Sequence, residues 1–171
     1  MLEAYRTVLQ ARALDDRRFV LNRAGKLAFI ISPRGHEVAQ VAAIAALAPL
    51  AQDIVVAGHG GDHVRFLIFP NIAACRAHAG LPDSAAVGEV IGNEKVRAGI
   101  ASGLAILRAQ CGGSSSGHAT RALLLAEPPS VDGGEITDKG YINQRAVLTR
   151  RANAVATLQD DASAEWIGCP D

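Results

Sequence analysis

The chain has 171 residues, with 17 basic and 17 acidic side chains and a formal net charge of zero at pH 7. This length is enough for one ordinary domain, or for a small domain with an appendage. The charge balance argues against binding to nucleic acid or to an anionic membrane surface. Because no apolar run reaches the length of a membrane span and the first residues lack a signal-peptide core, we expect a cytoplasmic protein without a membrane segment.

Two helices are predicted in the first 50 residues. Residues 2–21 place apolar side chains on one stripe and most charges elsewhere, which is typical of an amphipathic helix. A second, alanine-rich helix is predicted from His36 to about Leu50. His36 and Glu37 are adjacent, so on a helix they point to different sides, and we interpret them as helix-start residues rather than as an acid–base couple.

The middle of the chain alternates strand and helix patterns. Two β-rich runs, residues 53–57 and 63–69, flank a glycine-rich connection and predict an antiparallel hairpin. Short helices are predicted over residues 72–79, ended by Gly80, and after a cap at Asp83 or Ser84. Residues 95–110 carry large apolar side chains at helical spacing, and residues 122–126 form a third strand-like run. The expected fold class is therefore α+β, a small sheet of about three strands covered by helices.

The stretch over residues 128–148, PPSVDGGEITDKGYINQRAVL, has the character of a working site. Two prolines followed by Asp132-Gly133-Gly134 force the chain to turn, and Thr137 or Asp138 can then cap a helix. Lys139 falls on a glycine-flanked loop. There its ammonium group can reach an anionic ligand, because glycine backbone allows close approach. The alternative is a solvated surface lysine.

This stretch carries a family resemblance. GEITDKGYINQRAVL, with LLLAEPPSVD before it, resembles the C-terminal end of feruloyl-CoA synthetase, an adenylate-forming acid–CoA ligase, and the likeness extends back through VRFLIFPNIAACRAHAGL to about residue 49. In that superfamily a small C-terminal domain closes over the active site, and one loop lysine contacts acyl and phosphate oxygens. The resemblance implies that Lys139 is that lysine. It places five neighbours near substrate or nucleotide: Gly134, Glu135, Thr137, Asp138 and Gly140.

The large adenylation domain of such ligases, which supplies most nucleotide contacts, has no counterpart in this sequence. The parent family uses ATP, Mg²⁺ and coenzyme A, and we expect this chain alone to bind no cofactor and to be no independent catalyst. A separate adenylation domain would then be its partner.

The first block resembles a different family. YRTVLQARALDDRRFVLNRAGKLAFIISPRGHEVAQVAAIAAL is similar to the amino-terminal region of the alpha subunit of thiamine-diphosphate-dependent 2-oxo-acid dehydrogenases, especially the branched-chain type. That family assembles as heterotetramers, and its cofactor site needs a GDG segment. No GDG occurs here, and Gly60-Gly61-Asp62 has a different order.

The two resemblances predict a chimera, with a helical segment over residues 1–48 and a ligase-like domain over residues 49–171. Three functions stay open: a fragment of a hydroxycinnamate–CoA ligase, a remnant of a thiamine-dependent alpha subunit, and a non-catalytic module that self-associates or binds a partner. Cys75 and His78, with His59 and His63, lack a second paired motif, so no metal site is expected.

Overall fold

The computed structural model describes residues 47, 50–57, 63–110, 118–138 and 140–170. The chain divides into two units between Ala45 and Ala46, and the described residues belong to the second. The helices predicted over residues 2–21 and 36–50 lie outside the described residues, except that Leu47 is helical and that Leu47 and Leu50 are buried. The predicted boundary between residues 48 and 49 stays a prediction.

The first two strands form the predicted antiparallel pair. Strand β1 spans Ala51–Ala57 and strand β2 spans Val64–Pro70, with Val55 opposite Leu67. Residues 66–70 of β2 are all buried, because this strand has a neighbour on each edge and packing on both faces.

Three helices follow β2. Helix α1 spans Ile72–Ala79, helix α2 spans Val87–Gly92 and helix α3 spans Glu94–Gln110. The side-chain oxygen of Asn71 accepts a hydrogen bond from the Ala74 amide at 3.2 Å and caps α1. Gly80 ends α1 with φ 71°, a left-handed conformation that glycine adopts without strain, as predicted.

The predicted cap of the second helix is wrong. Helix α2 begins after Ala86, which makes no side-chain capping bond. Asp83 and Ser84 lie instead in a turn closed by the Ala85 amide on the Pro82 carbonyl, 3.0 Å away. The proline initiates this turn, and the turn uses the backbone that a cap at either residue would need.

The last two strands complete a sheet of order β1-β2-β3-β4. Strand β3, Ala119–Leu124, lies parallel to β2, and strand β4, Ile167–Gly168, lies antiparallel to β3. The guanidinium of Arg97 on α3 holds the segment before β4 by donating to three successive carbonyls, those of Ala164, Glu165 and Trp166, at 3.0–3.2 Å.

The predicted helix after the glycine turn begins later than expected. Helix α4 spans Gln144–Arg150 and helix α5 spans Ala152–Gln159, and Asn143 caps α4 by accepting from the Ala146 amide. Neither Thr137 nor Asp138 is a cap. The Thr137 backbone and hydroxyl pair with Tyr141 in a hairpin, which prevents a helical start there. The two helices are separate because Arg151 leaves helical geometry, at φ −102° and ψ 37°.

One face of the sheet packs on α4 and α5. Val147 of α4 and Leu158 of α5 are fully buried against it. The strand residues of this core are the following: Val55, Ala57, Leu67, Phe69 and Leu123, with Leu125 beyond β3. Because side chains alternate along a strand, Phe66 and Ile68 face the opposite side, where the predicted stripe of α3, Val96, Ile100, Leu104 and Leu107, is buried as well.

The described part of the chain is thus α+β, as predicted, with a four-stranded mixed sheet rather than one of three strands. Within it, no helix combines the length and the apolar character that crossing a membrane requires.

Candidate functional site

A tight turn opens the candidate site at residues 130–135. The Glu135 amide donates to the Ser130 carbonyl at 3.0 Å, and the Gly134 amide donates to the Val131 carbonyl at 2.9 Å. The Gly133 amide donates to the Ser130 hydroxyl at 2.9 Å. Gly134 has φ 70°, so an L side chain at this position would be strained.

A hairpin follows directly and returns the chain to α4. The Asn143 amide donates to the Glu135 carbonyl at 2.8 Å, and the Thr137 amide donates to the Tyr141 carbonyl at 2.8 Å. At the tip, the Gly140 amide donates to the Thr137 carbonyl at 2.9 Å, and Gly140 has φ 79°. The hairpin is therefore closed by its own backbone bonds, with glycine where the turn requires a positive φ.

A buried ion pair lies beneath this hairpin. Glu135 is 1% exposed, and its two carboxylate oxygens accept from Nε and Nη2 of Arg151, both at 2.9 Å. One of these oxygens also accepts from the Ser130 amide at 2.7 Å. The carboxylate thus has a bidentate arginine and a backbone donor, which are the partners that a buried charge needs.

The same contacts set the ionisation of Glu135. The hydrogen bond from the Arg151 guanidinium lowers its pKa below the ordinary value for glutamate, and this effect outweighs burial, which raises the pKa. The Ser130 amide and the charges of Arg151 and Arg150 lower it further. Glu135 is therefore ionised at neutral pH and is held as the anion.

The structure brings the predicted site residues into one short loop. Gly134 and Glu135 lie at the base of the hairpin, and Thr137, Asp138 and Gly140 are exposed at its far end. Lys139 lies outside the described residues, so its predicted role stays a prediction. The carboxylate of Glu135 is buried against Arg151 rather than turned to solvent.

Arg151 is the residue of this site that sequence reasoning missed. It lies 16 positions after Glu135, too far along the chain for local spacing to pair the two residues. Besides the carboxylate, it donates to the Pro128 carbonyl at 2.9 Å and lies over the ring of Phe69, 5.1 Å from the ring centre. The sequence signal for this pair is weak, because four acidic residues lie between positions 127 and 138 and any of them could pair with the arginines at 150 and 151.

An open cleft of about 500 Å³ borders the lead-in to this loop. It lies at the carboxyl ends of the parallel strands β2 and β3 and is lined by Pro70, Leu125, Pro128 and the first residues of α1. Its lining is mostly apolar.

Among the described residues, no group of three or more His, Cys, Asp and Glu side chains is arranged to hold a metal ion. Cys75 is buried, and its thiol donates to the Leu50 carbonyl at 3.4 Å. Burial raises the pKa of this thiol. His78 of the same helix is exposed, and His59 lies outside the described residues.

Comparison with known proteins gives likenesses that cover only part of the chain. The chain is 52% identical over 46 residues to the 2-oxoisovalerate dehydrogenase subunit alpha of Bacillus subtilis. The match covers 27% of this chain and 14% of that protein, so it spans only a small part of the relative. It agrees with the second of the two resemblances, the one over residues 2–48. No protein-family model matches the chain, and no solved structure matches it.

Proposed function

We propose that the domain from about residue 49 is the closing domain of an acid–CoA ligase, acting with an adenylation domain that the given sequence does not contain. The observation that carries the proposal is the anchored hairpin, whose base is fixed by the buried Glu135–Arg151 pair while its far end is exposed. A domain that delivers one cation to a distant active site needs a loop of this kind. The comparisons lend no support to the ligase resemblance, so the proposal rests on the loop sequence and its geometry.

In the proposed reaction a carboxylate oxygen of the aromatic acid attacks the α-phosphorus of ATP, and diphosphate leaves. Lys139 would offset the negative charge that gathers on the carboxylate and the α-phosphate as the acyl-adenylate forms. Mg²⁺ would be held with ATP by the adenylation domain. This chain would place the ammonium group of Lys139 beside the reacting carboxylate and α-phosphate, and it would exclude water from the closed site.

Complementation tests the proposal. This chain is mixed with a feruloyl-CoA synthetase lacking its C-terminal domain, and feruloyl-CoA formation is followed with ATP, Mg²⁺, ferulate and coenzyme A. We expect turnover that neither part gives alone, that is lost in Lys139→Ala and kept in Lys95→Ala, a matched lysine on α3. A folded chain that restores no turnover, or restores it equally well as Lys139→Ala, would refute the proposal.

A second function concerns the amino-terminal part and is favoured by the 52% identity to a dehydrogenase alpha subunit. We propose that this part binds a dehydrogenase subunit or a second copy of the chain, since an alpha subunit by name belongs to an assembly. Sedimentation velocity of the chain alone and with the beta subunit of a 2-oxoisovalerate dehydrogenase tests this. If the chain stays monomeric in both samples at high concentration, the proposal is excluded.

The thiamine-dependent alternative has the 52% identity over 46 residues in its favour. The given sequence has no GDG segment, which that family uses to hold magnesium and the diphosphate. We expect calorimetry with thiamine diphosphate and Mg²⁺ to detect no binding. Saturable binding would revive the alternative.

A further inference from the structure

The geometry points to Arg151 as the residue that positions the hairpin for the ligase reaction, acting through the buried carboxylate of Glu135. This inference rests on the proposed closing-domain function. It assigns a role to a side chain outside the loop, one that neither the family resemblance nor the sequence pattern marked.

The guanidinium of Arg151 joins three separate parts of the domain. It donates to both carboxylate oxygens of Glu135 at 2.9 Å and to the carbonyl of Pro128 at 2.9 Å. Its guanidinium carbon lies over the ring of Phe69 of β2, a buried residue of the sheet core, 5.1 Å from the ring centre. One rigid group therefore holds the lead-in at Pro128, the hairpin base and strand β2 together.

Glu135 passes this constraint on to the rest of the loop. Its amide closes the glycine turn on Ser130, and its carbonyl accepts the Asn143 amide that closes the hairpin. Asn143 in turn caps α4, the helix that leads to Arg151. Fixing the position of Glu135 therefore fixes both turns. A continuous set of hydrogen bonds runs from the Arg151 side chain through Glu135 and Asn143 to α4, which ends at Arg151.

Arginine suits this role better than lysine. A guanidinium presents several donors in a fixed plane, which matches two carboxylate oxygens and one carbonyl at the same time, whereas an ammonium group is a point charge on a flexible stem. The flat face also allows the contact with Phe69. Lysine at position 151 would keep the charge and lose the fixed orientation.

Arg150 offers a matched comparison on the preceding residue. Its Nε lies 3.9 Å from the same Glu135 carboxylate oxygen, but its side chain is 54% exposed. Because the Arg150 side chain is largely open to solvent and 3.9 Å away, we expect this contact to contribute less than the Arg151 pair. Arg97 supplies a distant comparison, because it makes three hydrogen bonds to backbone carbonyls of the segment before β4 and none in the loop.

The test uses the full chain with Arg151→Gln, Arg151→Lys, Arg150→Gln and Arg97→Gln in the complementation assay. We expect Arg151→Gln to lower kcat by roughly 10- to 100-fold, since small misplacements of a reacting group have effects of this size. The KM for ferulate should hold, because the adenylation domain binds it. Arg151→Lys should fall between Arg151→Gln and the unsubstituted chain, and Arg150→Gln should stay within about twofold.

Hydrogen exchange of the same four variants separates positioning from general loss of stability. In Arg151→Gln we expect faster exchange at the Thr137, Gly140 and Asn143 amides, with a larger increase there than at the amides of α3. Arg97→Gln should leave the three hairpin amides as they are. The inference is overturned if hairpin exchange in Arg151→Gln is unchanged, or if kcat falls equally in Arg97→Gln at a temperature where both variants are folded.

The two proposals fail in different ways. If the unsubstituted chain restores no turnover, the ligase function fails and Arg151 has no reaction to serve, whatever the exchange data show. If the unsubstituted chain restores turnover and Arg151→Gln restores it as well, the ligase function stands and the role of Arg151 is refuted.

Discussion

Removing the positive charge beside Glu135 should destabilise the domain strongly. In Arg151→Met the side-chain volume is roughly kept, but a carboxylate that is 1% exposed loses both of its arginine hydrogen bonds. Breaking a buried pair by removing one partner costs about 3–5 kcal/mol. The Ser130 amide continues to donate to Glu135, and Arg150 lies near enough to offset part of the charge. We therefore expect Arg151→Met to lower the free energy of unfolding by about 3 kcal/mol, at the lower end of the range for a broken buried pair.

A double-mutant cycle isolates the pair itself. Glu135→Leu removes the anion and leaves Arg151 without its carboxylate, and the double substitution Glu135→Leu with Arg151→Met removes both charges. Because apolar replacement of a buried ion pair is often close to neutral, the double variant should be more stable than Arg151→Met alone. We expect a coupling free energy of about 2 kcal/mol or more, within the range seen for residues of one network.

Urea unfolding followed by the fluorescence of Trp166 gives these free energies. Trp166 is the single tryptophan of the chain and packs at the edge of the core that includes Leu158. Its emission therefore reports the described domain. A coupling free energy below about 0.5 kcal/mol, the range of exposed ion pairs, would refute the description of Glu135 and Arg151 as a buried pair.

Three further predictions concern pH, a turn and the core. The folded-state pKa of Glu135 is lowered, so its ionisation adds stability that is present above the unfolded pKa and is lost as pH falls through the folded pKa. When the free energy of unfolding is measured against falling pH, Glu135→Gln should therefore lose less stability than the unsubstituted chain. Equal losses of stability would contradict the lowered pKa. Gly134 has φ 70°, so Gly134→Ala should lower the free energy of unfolding by more than about 1 kcal/mol, measured in urea. Gly88→Ala within α2, where an added Cβ has no atom within 4 Å, should stabilise the domain slightly. Equal effects of the two substitutions would argue against the left-handed conformation of Gly134. In the same urea measurement, Leu104→Ala on the buried side of α3 should lower the free energy of unfolding by about 2–5 kcal/mol, and Ile106→Ala on its exposed side by under about 1 kcal/mol. If Ile106→Ala had the larger effect, the opposite face of α3 would be the one that packs on the core.

Local patterns in the sequence predicted the elements that local forces decide. The stripe of α3 reads directly as helical spacing, and all four of its large apolar residues are buried. Gly80 ends α1 through its own left-handed backbone conformation, which depends only on the neighbouring residues. The β1–β2 hairpin follows from two β-rich runs joined by glycines. These features depend on a few consecutive residues, so composition and spacing were enough.

The candidate site depended on interactions that spacing does not reveal. Thr137 has the chemistry of a helix cap, yet pairing between Ile136 and Ile142 and the Tyr141 contacts decide its conformation. The Glu135–Arg151 contact joins residues 16 apart across a turn and a helix. Strand β4 has only two residues, too few for a periodic pattern. In each case, pairing with another segment of the chain overrides the local preference.

The parallel pairing of β2 with β3 also determines the order in which the strands pair during folding. β1 and β2 are joined by a short connection, so their hairpin closes with little loss of chain entropy, and hairpins of this kind form in about 1–10 μs. β3 must wait until the three helices between Asn71 and His118 have brought it back alongside β2. Non-local pairing of this kind slows folding. Until it happens, the free edge of β2 stays open to pairing with another chain, so concentrated refolding should favour aggregation at this step.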